Sequence, residues 1–168
     1  EITNHPFLRY LAAKDRPLIL STGMATLQEI IEATEVIRTE RKIRGHKAPL
    51  ESMLTILHCT SNYPAAPDDV NLRAMGTIAS ELGVPVGYSD HTLGLAVSTA
   101  AVARGAVVIE KHFTLDSNLP GPDHKASLTP DELAALISQI RAVERALGSA
   151  EKRPTDAELP VRELVRRS

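Results

Sequence analysis

GYSDHT (residues 87–92) and VIEKHFTLDSNLPGPDH (residues 108–124) each follow a short apolar run with polar residues, and each carries a histidine at that junction, His91 and His112. Between them lies LGLAVSTAAVARGA, residues 93–106. This run of small residues is long enough to cross as a helix from the end of one parallel strand to the start of the next. The histidines therefore fall on neighbouring strand ends of one rim. Two imidazoles on one rim, with Asp90 beside the first, point to a metal site suited to carbon–oxygen chemistry.

The alternation extends in both directions. PLILS, residues 17–21, stops at Thr22-Gly23, and residues 26–38 then place Leu27, Ile30, Ile31, Thr34 and Ile37 at helical spacing. Thr26 and Glu29 form a capping box, in which a hydroxyl and a carboxylate satisfy free amides of the first turn. A second strand is expected over residues 53–58, a helix over 70–82, a third strand over 84–88 and a helix over 93–104 that Gly105 ends. Residues 106–111 read as a fourth strand. The last helix opens on Thr129-Pro130-Asp131-Glu132, with an N-cap, a proline at the first helical position and a second capping box, and runs to Leu147.

Strands that are apolar throughout and alternate with helices imply a parallel sheet covered by helices. An open doubly wound sheet would carry a glycine-rich phosphate turn, and neither GxGxxG nor a Walker sequence occurs. Each strand runs instead into polar residues: STGM from Ser21, HCTSNYP from His58, YSDHT from Tyr88 and EKHFT from Glu110. In a (β/α)8 barrel the reactive groups sit on that carboxyl rim, and a whole barrel takes eight strands and about 250 residues. The expected fold class is therefore α/β, the second half of a TIM barrel. Residues 1–168 then form one partial catalytic domain.

Composition narrows the partners. The 168 residues are 43% hydrophobic and 24% charged, ordinary for a globular chain. A net charge of -2 and a pI near 6.3, with basic residues scattered among acids, argue against nucleic acid as a partner. No run of about 18 apolar residues suggests a membrane span. A single cysteine, Cys59, excludes an internal disulfide, so a cytoplasmic location is expected, and Cys59 itself reads as a small buried hydrophobe.

EITNHP, LILSTGMATLQEI, LHCTSNYPAAPDDVNLRAM, VPVGYSDHTLG, GAVVIEKHFTLD and LPGPDHKASLTPDEL resemble, in order and spacing, the carboxyl half of the sialic acid synthase (N-acetylneuraminate synthase) barrel. The resemblance covers almost the whole chain. It implies a transferase that condenses phosphoenolpyruvate with an N-acetylhexosamine, typically N-acetylmannosamine, to a nine-carbon 2-keto sugar acid and phosphate. Legionaminate, pseudaminate and sialate 9-phosphate synthases share the pattern, and GPDHKAS is closer to the sialate and legionaminate branches. Members carry four further strands with phosphate-binding lysines ahead of the position of Glu1 and a small antifreeze-like domain beyond Ser168, and a homodimer is expected. A chain that opens on Glu within a family motif is expected to be a fragment. RTERKIRGHKAPLES, residues 38–52, is longer than the usual turn and is expected to be a solvated loop.

The resemblance also assigns roles. It places the metal on His91 and His112, where imidazole donors suit manganese better than magnesium and leave zinc open. Asp90 reads either as a carboxylate orienting a ligand or as a cap on the helix expected from Leu93. Ser21, Ser61 and Ser89 are candidates to hold the phosphate and carboxylate of phosphoenolpyruvate. Glu1 matches a carboxylate near metal-bound water, and Tyr63 and Asp123 match positions that contact the sugar. Lys111 should point away from His112 toward the helices and form an ion pair, while Glu110 shares the face of His112. In the implied reaction C3 of phosphoenolpyruvate attacks the sugar aldehyde, water captures C2, and phosphate leaves by C–O cleavage. Two rivals stand beside this reading. One is a non-catalytic half-barrel with open strand edges. The other is a synthase of seven- or eight-carbon keto acids, whose relatives lack the HCTSNYP and GPDHKAS runs. The metal assignment requires the rings of His91 and His112 to converge.

Overall fold

The computed structural model describes residues 1–166. Four parallel strands, β1 (Leu18–Ser21), β2 (Leu54–Cys59), β3 (Val86–Asp90) and β4 (Ile109–Lys111), lie side by side in the order of the chain. Helix α1 (His5–Ala12) precedes them, and α2 (Leu27–Ile43), α3 (Ala74–Leu82), α4 (Ala96–Ala103) and α5 (Pro130–Leu147) follow β1 to β4 in turn. A short α6 (Leu159–Val165) ends the described chain. Of these, α1 and α6 have no counterpart in the sequence reading.

The register decides which face is covered. Leu18 pairs with Leu54, Leu20 with Ile56, Ile56 with Val86, and Tyr88 with Ile109, so these residues share one face of the sheet. They pack with Leu8 and Ala12 of α1, Ile30, Ala33 and Ile37 of α2, Met75 and Ile78 of α3, and Ala101 of α4. All these helices therefore cover the same face. A strand order that follows the chain with helices on one side is the arrangement of a barrel wall, and the fold is half of such a barrel, as expected. The opposite row pairs Ile19 with Thr55, Ser21 with Leu57, Leu57 with Gly87, Cys59 with Ser89, and Ser89 with Glu110. Ile19 on this row is 60% exposed, an apolar side chain facing the uncovered interior.

Both capping boxes are present, with the amide of Thr26 donating to Glu29 (2.7 Å) and that of Thr129 donating to Glu132 (2.8 Å). Several boundaries move, each for a local reason. The ladder of β3 starts at Val86 because Pro85 has no N–H to give, and Asp90 thereby lies inside the strand. The helix expected over residues 70–82 begins only at Ala74, since Asn71 takes a positive φ (52°) that no right-handed helix includes. Gly94 (φ 74°) likewise delays α4 to Ala96. The segment expected as a solvated loop over residues 38–52 is helical as far as Ile43. There Arg41 is buried, and its guanidinium donates to Asp15 Oδ1 (3.0 Å) and the Ala48 carbonyl (3.1 Å).

Gly87 is required by close approach rather than by its backbone angles. A Cβ there would lie 2.5 Å from the Val108 carbonyl oxygen and 2.6 Å from Leu57 Cδ2. The Val108 carbonyl accepts the Tyr88 amide (2.9 Å), so it cannot retreat without opening the seam between β3 and β4. Gly87→Ala is expected to destabilise the fold by about 1–3 kcal/mol, the usual cost of overpacking, read as a lowered midpoint in chemical denaturation.

Candidate active site

Just past the last ladder pair, Asp90 with Lys111, the two strands release His91 and His112 side by side. Their ring centres are 5.4 Å apart and the rings stand edge to face at 75°. Tyr63, from the loop after β2, lies against both, 4.1 Å from the His91 ring and 5.5 Å from the His112 ring. The two rings expected on one rim are therefore neighbours.

The loop after β2 fixes His91 twice. His91 Nδ1 lies 2.8 Å from the Thr60 carbonyl, and the His91 carbonyl accepts the Ala65 amide (2.9 Å). A carbonyl only accepts, so Nδ1 carries the proton and Nε2 keeps a free lone pair, the form a metal-binding imidazole takes. His112 is held from the other side, its carbonyl accepting the Leu128 amide (2.8 Å). Ring centres roughly 5 Å apart suit two imidazoles on one ion at about 2.1 Å from each nitrogen. Among the described residues no group of three or more His, Cys, Asp or Glu side chains is arranged to hold an ion. The donor set thus fits a metal that takes two protein nitrogens and completes its shell with water and substrate oxygens.

Below the histidines the inner row continues with Cys59, Ser89 and Glu110. Ser89 donates to Glu110 Oε1 (2.7 Å), and Cys59 Sγ lies 3.8 Å from His91 Nδ1. Burial pushes the Cys59 thiol up, the neighbouring Ser89 and Ser61 hydroxyls work the other way, and the Glu110 charge adds to the rise. Cys59 is half-buried on the reactive face, which corrects its reading as a buried hydrophobe. Tyr63 is also raised, by desolvation first and then by Cys59, Asp123 and Glu110. Ser61 lies over Gly23, whose absent Cβ would stand 2.0 Å from the Ser61 hydroxyl oxygen. Ser21 ends β1, two strands from β3. Glu1 is exposed on the turn into α1, where its carbonyl accepts the Asn4 amide (2.8 Å). The structure thus brings His91, His112, Tyr63, Cys59, Ser61, Ser89 and Glu110 into one cluster, with Ser21 and Glu1 farther out along the chain, while Asp123 lies in the loop after β4, its carbonyl accepting from the Ala126 amide (3.1 Å).

Asp90 is not the cap of α4, and it makes no direct hydrogen bond to the His91 ring. It points to the covered face, away from His91, and α4 starts too late to be capped by it. Its Oδ1 accepts from the amide and hydroxyl of Thr92 (2.8 Å each), and its Oδ2 from Ser98 (2.5 Å) and Lys111 Nζ (3.0 Å). Lys111 does turn to the helix side and form the expected ion pair. Cys59, Thr60 and Glu110 had no assigned role. Alternation alone would have placed Cys59 and Glu110 on the histidine face, whereas a backbone carbonyl contact such as that of Thr60 leaves no side-chain signal.

The sequence matches the NeuB family over residues 1–152, and the chain belongs to that family. It is 57% identical over 168 residues to an N,N'-diacetyllegionaminic acid synthase of Legionella pneumophila, covering all of this chain and 46% of that protein. It is 40% identical over 169 residues to an N-acetylneuraminate-9-phosphate synthase of Homo sapiens, covering all of this chain and 44% of that protein. The crystal structure of N-acetylneuraminic acid synthetase from Leptospira borgpetersenii serovar Hardjo-bovis superposes with a TM-score of 0.83 at 35% identity, covering 97% of this chain and 54% of that one. The chain spans about half the length of the curated relatives it matches. Among the described residues no helix is long and apolar enough to cross a membrane.

Burial alone would raise the Asp90 carboxyl, but hydrogen bonds from Ser98, the Thr92 amide, Lys111 and the Thr92 hydroxyl together bring it below its ordinary 3.8. A carboxylate depressed in the folded state stabilises the fold above its ordinary value and loses that contribution as pH falls through the lower folded value. The thermal midpoint is therefore expected to drop on acidification below pH 3.8. Asp90→Asn should flatten that part of the profile while lowering the midpoint at neutral pH, as differential scanning calorimetry across the pH series would read.

Proposed function

We propose that the protein carrying this chain condenses phosphoenolpyruvate with an acetamido hexose, forming a nine-carbon 2-keto sugar acid and releasing phosphate. The observation that supports this reading is the adjacency of the His91 and His112 rings on the carboxyl rim of a NeuB-family half-barrel. His91 and His112 would hold a divalent metal, manganese by preference, which when bound polarises the sugar aldehyde toward attack. The higher identity to a legionaminic acid synthase (57%) than to an N-acetylneuraminate-9-phosphate synthase (40%) favours the legionaminic branch. Removing the three carbons of phosphoenolpyruvate from a nine-carbon N,N'-diacetyl product leaves a hexose with two acetamido groups, in preference to N-acetylmannosamine.

The chain's own residues divide the work. Tyr63 stays protonated, because its surroundings raise it, and so both donates to and accepts from sugar hydroxyls. Asp123 accepts from the sugar beside it. Ser61 and Ser89 face the enol phosphate with Ser21. Ser89 has one proton, now given to Glu110, so it can donate to an anion only by leaving that carboxylate. Lys111 is committed to Asp90 and the Thr92 carbonyl and is not free to bind phosphate. The cations for a multiply charged substrate are assigned to the barrel strands that relatives of twice this length contain, and Glu1 to the water that attacks C2. Holding both substrates in line then supplies the proximity term. A homodimer acting in the cytoplasm completes the proposal.

The test is phosphate release by the intact protein with phosphoenolpyruvate, manganese and either the diacetamido hexose or N-acetylmannosamine. Turnover should fall below detection after treatment with EDTA and return with manganese. His112→Ala should abolish it while leaving the far-ultraviolet circular dichroism unchanged. Turnover that survives His112→Ala would sink the assignment, and preference for N-acetylmannosamine would move the protein to the sialic acid branch. The 168-residue polypeptide assayed alone is expected to show no turnover, because its four strands leave the phosphate without its cations.

A further inference from the structure

We infer that Asp90 and Lys111 are a pair of positioning residues that set the spacing and orientation of His91 and His112. This rests on the proposed metal role of the two histidines. Asp90 directly precedes His91, and Lys111 directly precedes His112. Their side chains meet at 3.0 Å on the covered face of the sheet, Asp90 fully buried and the Lys111 side chain 4% exposed. Lys111 Nζ also donates to the carbonyl of Thr92 (2.6 Å), the residue immediately after His91. One ammonium thus grips the chain on both sides of His91 from the residue next to His112.

The carboxylate end is equally fixed. Thr92 supplies two donors, Ser98 of α4 a third, and the Tyr88 hydroxyl a longer contact of 3.4 Å. Ser98 ties the cluster to the first turn of α4, so the pair is referenced to the packed helical layer as well as to the strands. The backbone ladder ends at Asp90 and Lys111, which leaves the histidines beyond its last rung. Side-chain contacts must therefore take over the task of holding the two strand ends at one distance.

Stability is a poor explanation for this arrangement. Desolvating two full charges offsets most of what their attraction gains, and apolar pairs of similar volume commonly serve a buried position as well or better. An ion pair with directional hydrogen bonds instead restricts geometry, and geometry is what two ligands to one ion need. Asp90 and Lys111 act from behind the site, through the backbone, and touch no reacting atom.

Lys111→Arg in the intact protein keeps the charge but changes its reach. The double variant Asp90→Asn/Lys111→Met removes both charges, so that no buried ion is left unpaired. Manganese affinity by calorimetry, and the visible spectrum of the cobalt-loaded protein, report the histidine geometry independently of turnover. Both variants should weaken manganese binding by about ten-fold or more, the usual range for groups that orient metal ligands. They should also shift the cobalt bands, and Lys111→Arg should keep its thermal midpoint within a few degrees of the parent. Under turnover, kcat should fall while KM for phosphoenolpyruvate holds. Parental affinity and spectrum in both variants would overturn the positioning role, provided His112→Ala has lost the metal. If His112→Ala binds manganese like the parent, the metal reading itself fails and the positioning role goes with it.

Discussion

Asp90 lies opposite Lys111, and Ser89 opposite Glu110, in the last two rungs of the β3–β4 ladder. Because side chains alternate across a strand, this one register sends an ion pair into the covered layer and a hydroxyl–carboxylate pair to the open face. A slip of one residue would exchange them. It would drive Glu110 into the layer where Tyr88, Ile56 and Met75 pack, and it would turn the histidines away from each other. Packing and chemistry therefore enforce the same register. The apolar residues of β3 and β4 have one face to bury, and the polar ones inherit the other.

The same logic explains how one sheet can be so well packed on one side and so open on the other. Consecutive strand order places α1 to α4 on one layer, where Tyr88, Ile56 and Leu54 are fully or almost fully buried. The inner row holds Ile19, Ser21, Thr55, Leu57, Gly87, Cys59, Ser89 and Glu110, a mixture in which Leu57 and Ser89 are buried while Ile19 is exposed. In a closed barrel such a row becomes the filled interior below the catalytic rim. The relatives and the matching solved structure, about twice as long as this chain, are consistent with that use of the face.

Much of this is legible in the sequence because it depends on period and punctuation. Apolar runs, the Thr26 and Thr129 capping boxes and the polar residues after each run mark out four βα units, and alternation alone puts Lys111 opposite in direction to His112. The features that escape depend on backbone angles and on partners distant in sequence. Asn71 is one of the few residue types that tolerate a positive φ, but the apolar pattern running through Val70 and Leu72 hides it and starts the third helix too early. Arg41 looks like one more surface charge in a basic segment until Asp15, 26 residues earlier, and the Ala48 carbonyl are seen to engage it. Asp90 invites two local readings because its neighbours are a histidine and a helix, yet its partners are Lys111 across the sheet and Ser98 eight residues on.

The electrostatic character of the rim gives the proposed chemistry its asymmetry. Around Tyr63 stand Cys59, Asp123 and Glu110, each of which raises its phenol and none of which supplies a cation. Such a surface accepts hydrogen bonds, and it favours a neutral polyhydroxyl partner over an anionic one. The lysine beside His112 is spent on Asp90. The rim around Tyr63 is thus suited to the acceptor sugar, while the hydroxyls proposed for the enol phosphate, Ser21, Ser61 and Ser89, bring it no positive charge. In the proposed reaction the sugar would then rest on this half, and the charge of the enol phosphate would be met chiefly by the other. Within this half the buried Asp90–Lys111 pair ties the end of β3 to that of β4, so the spacing of the two histidines would be referenced to one packed sheet and not to the seam with the other half.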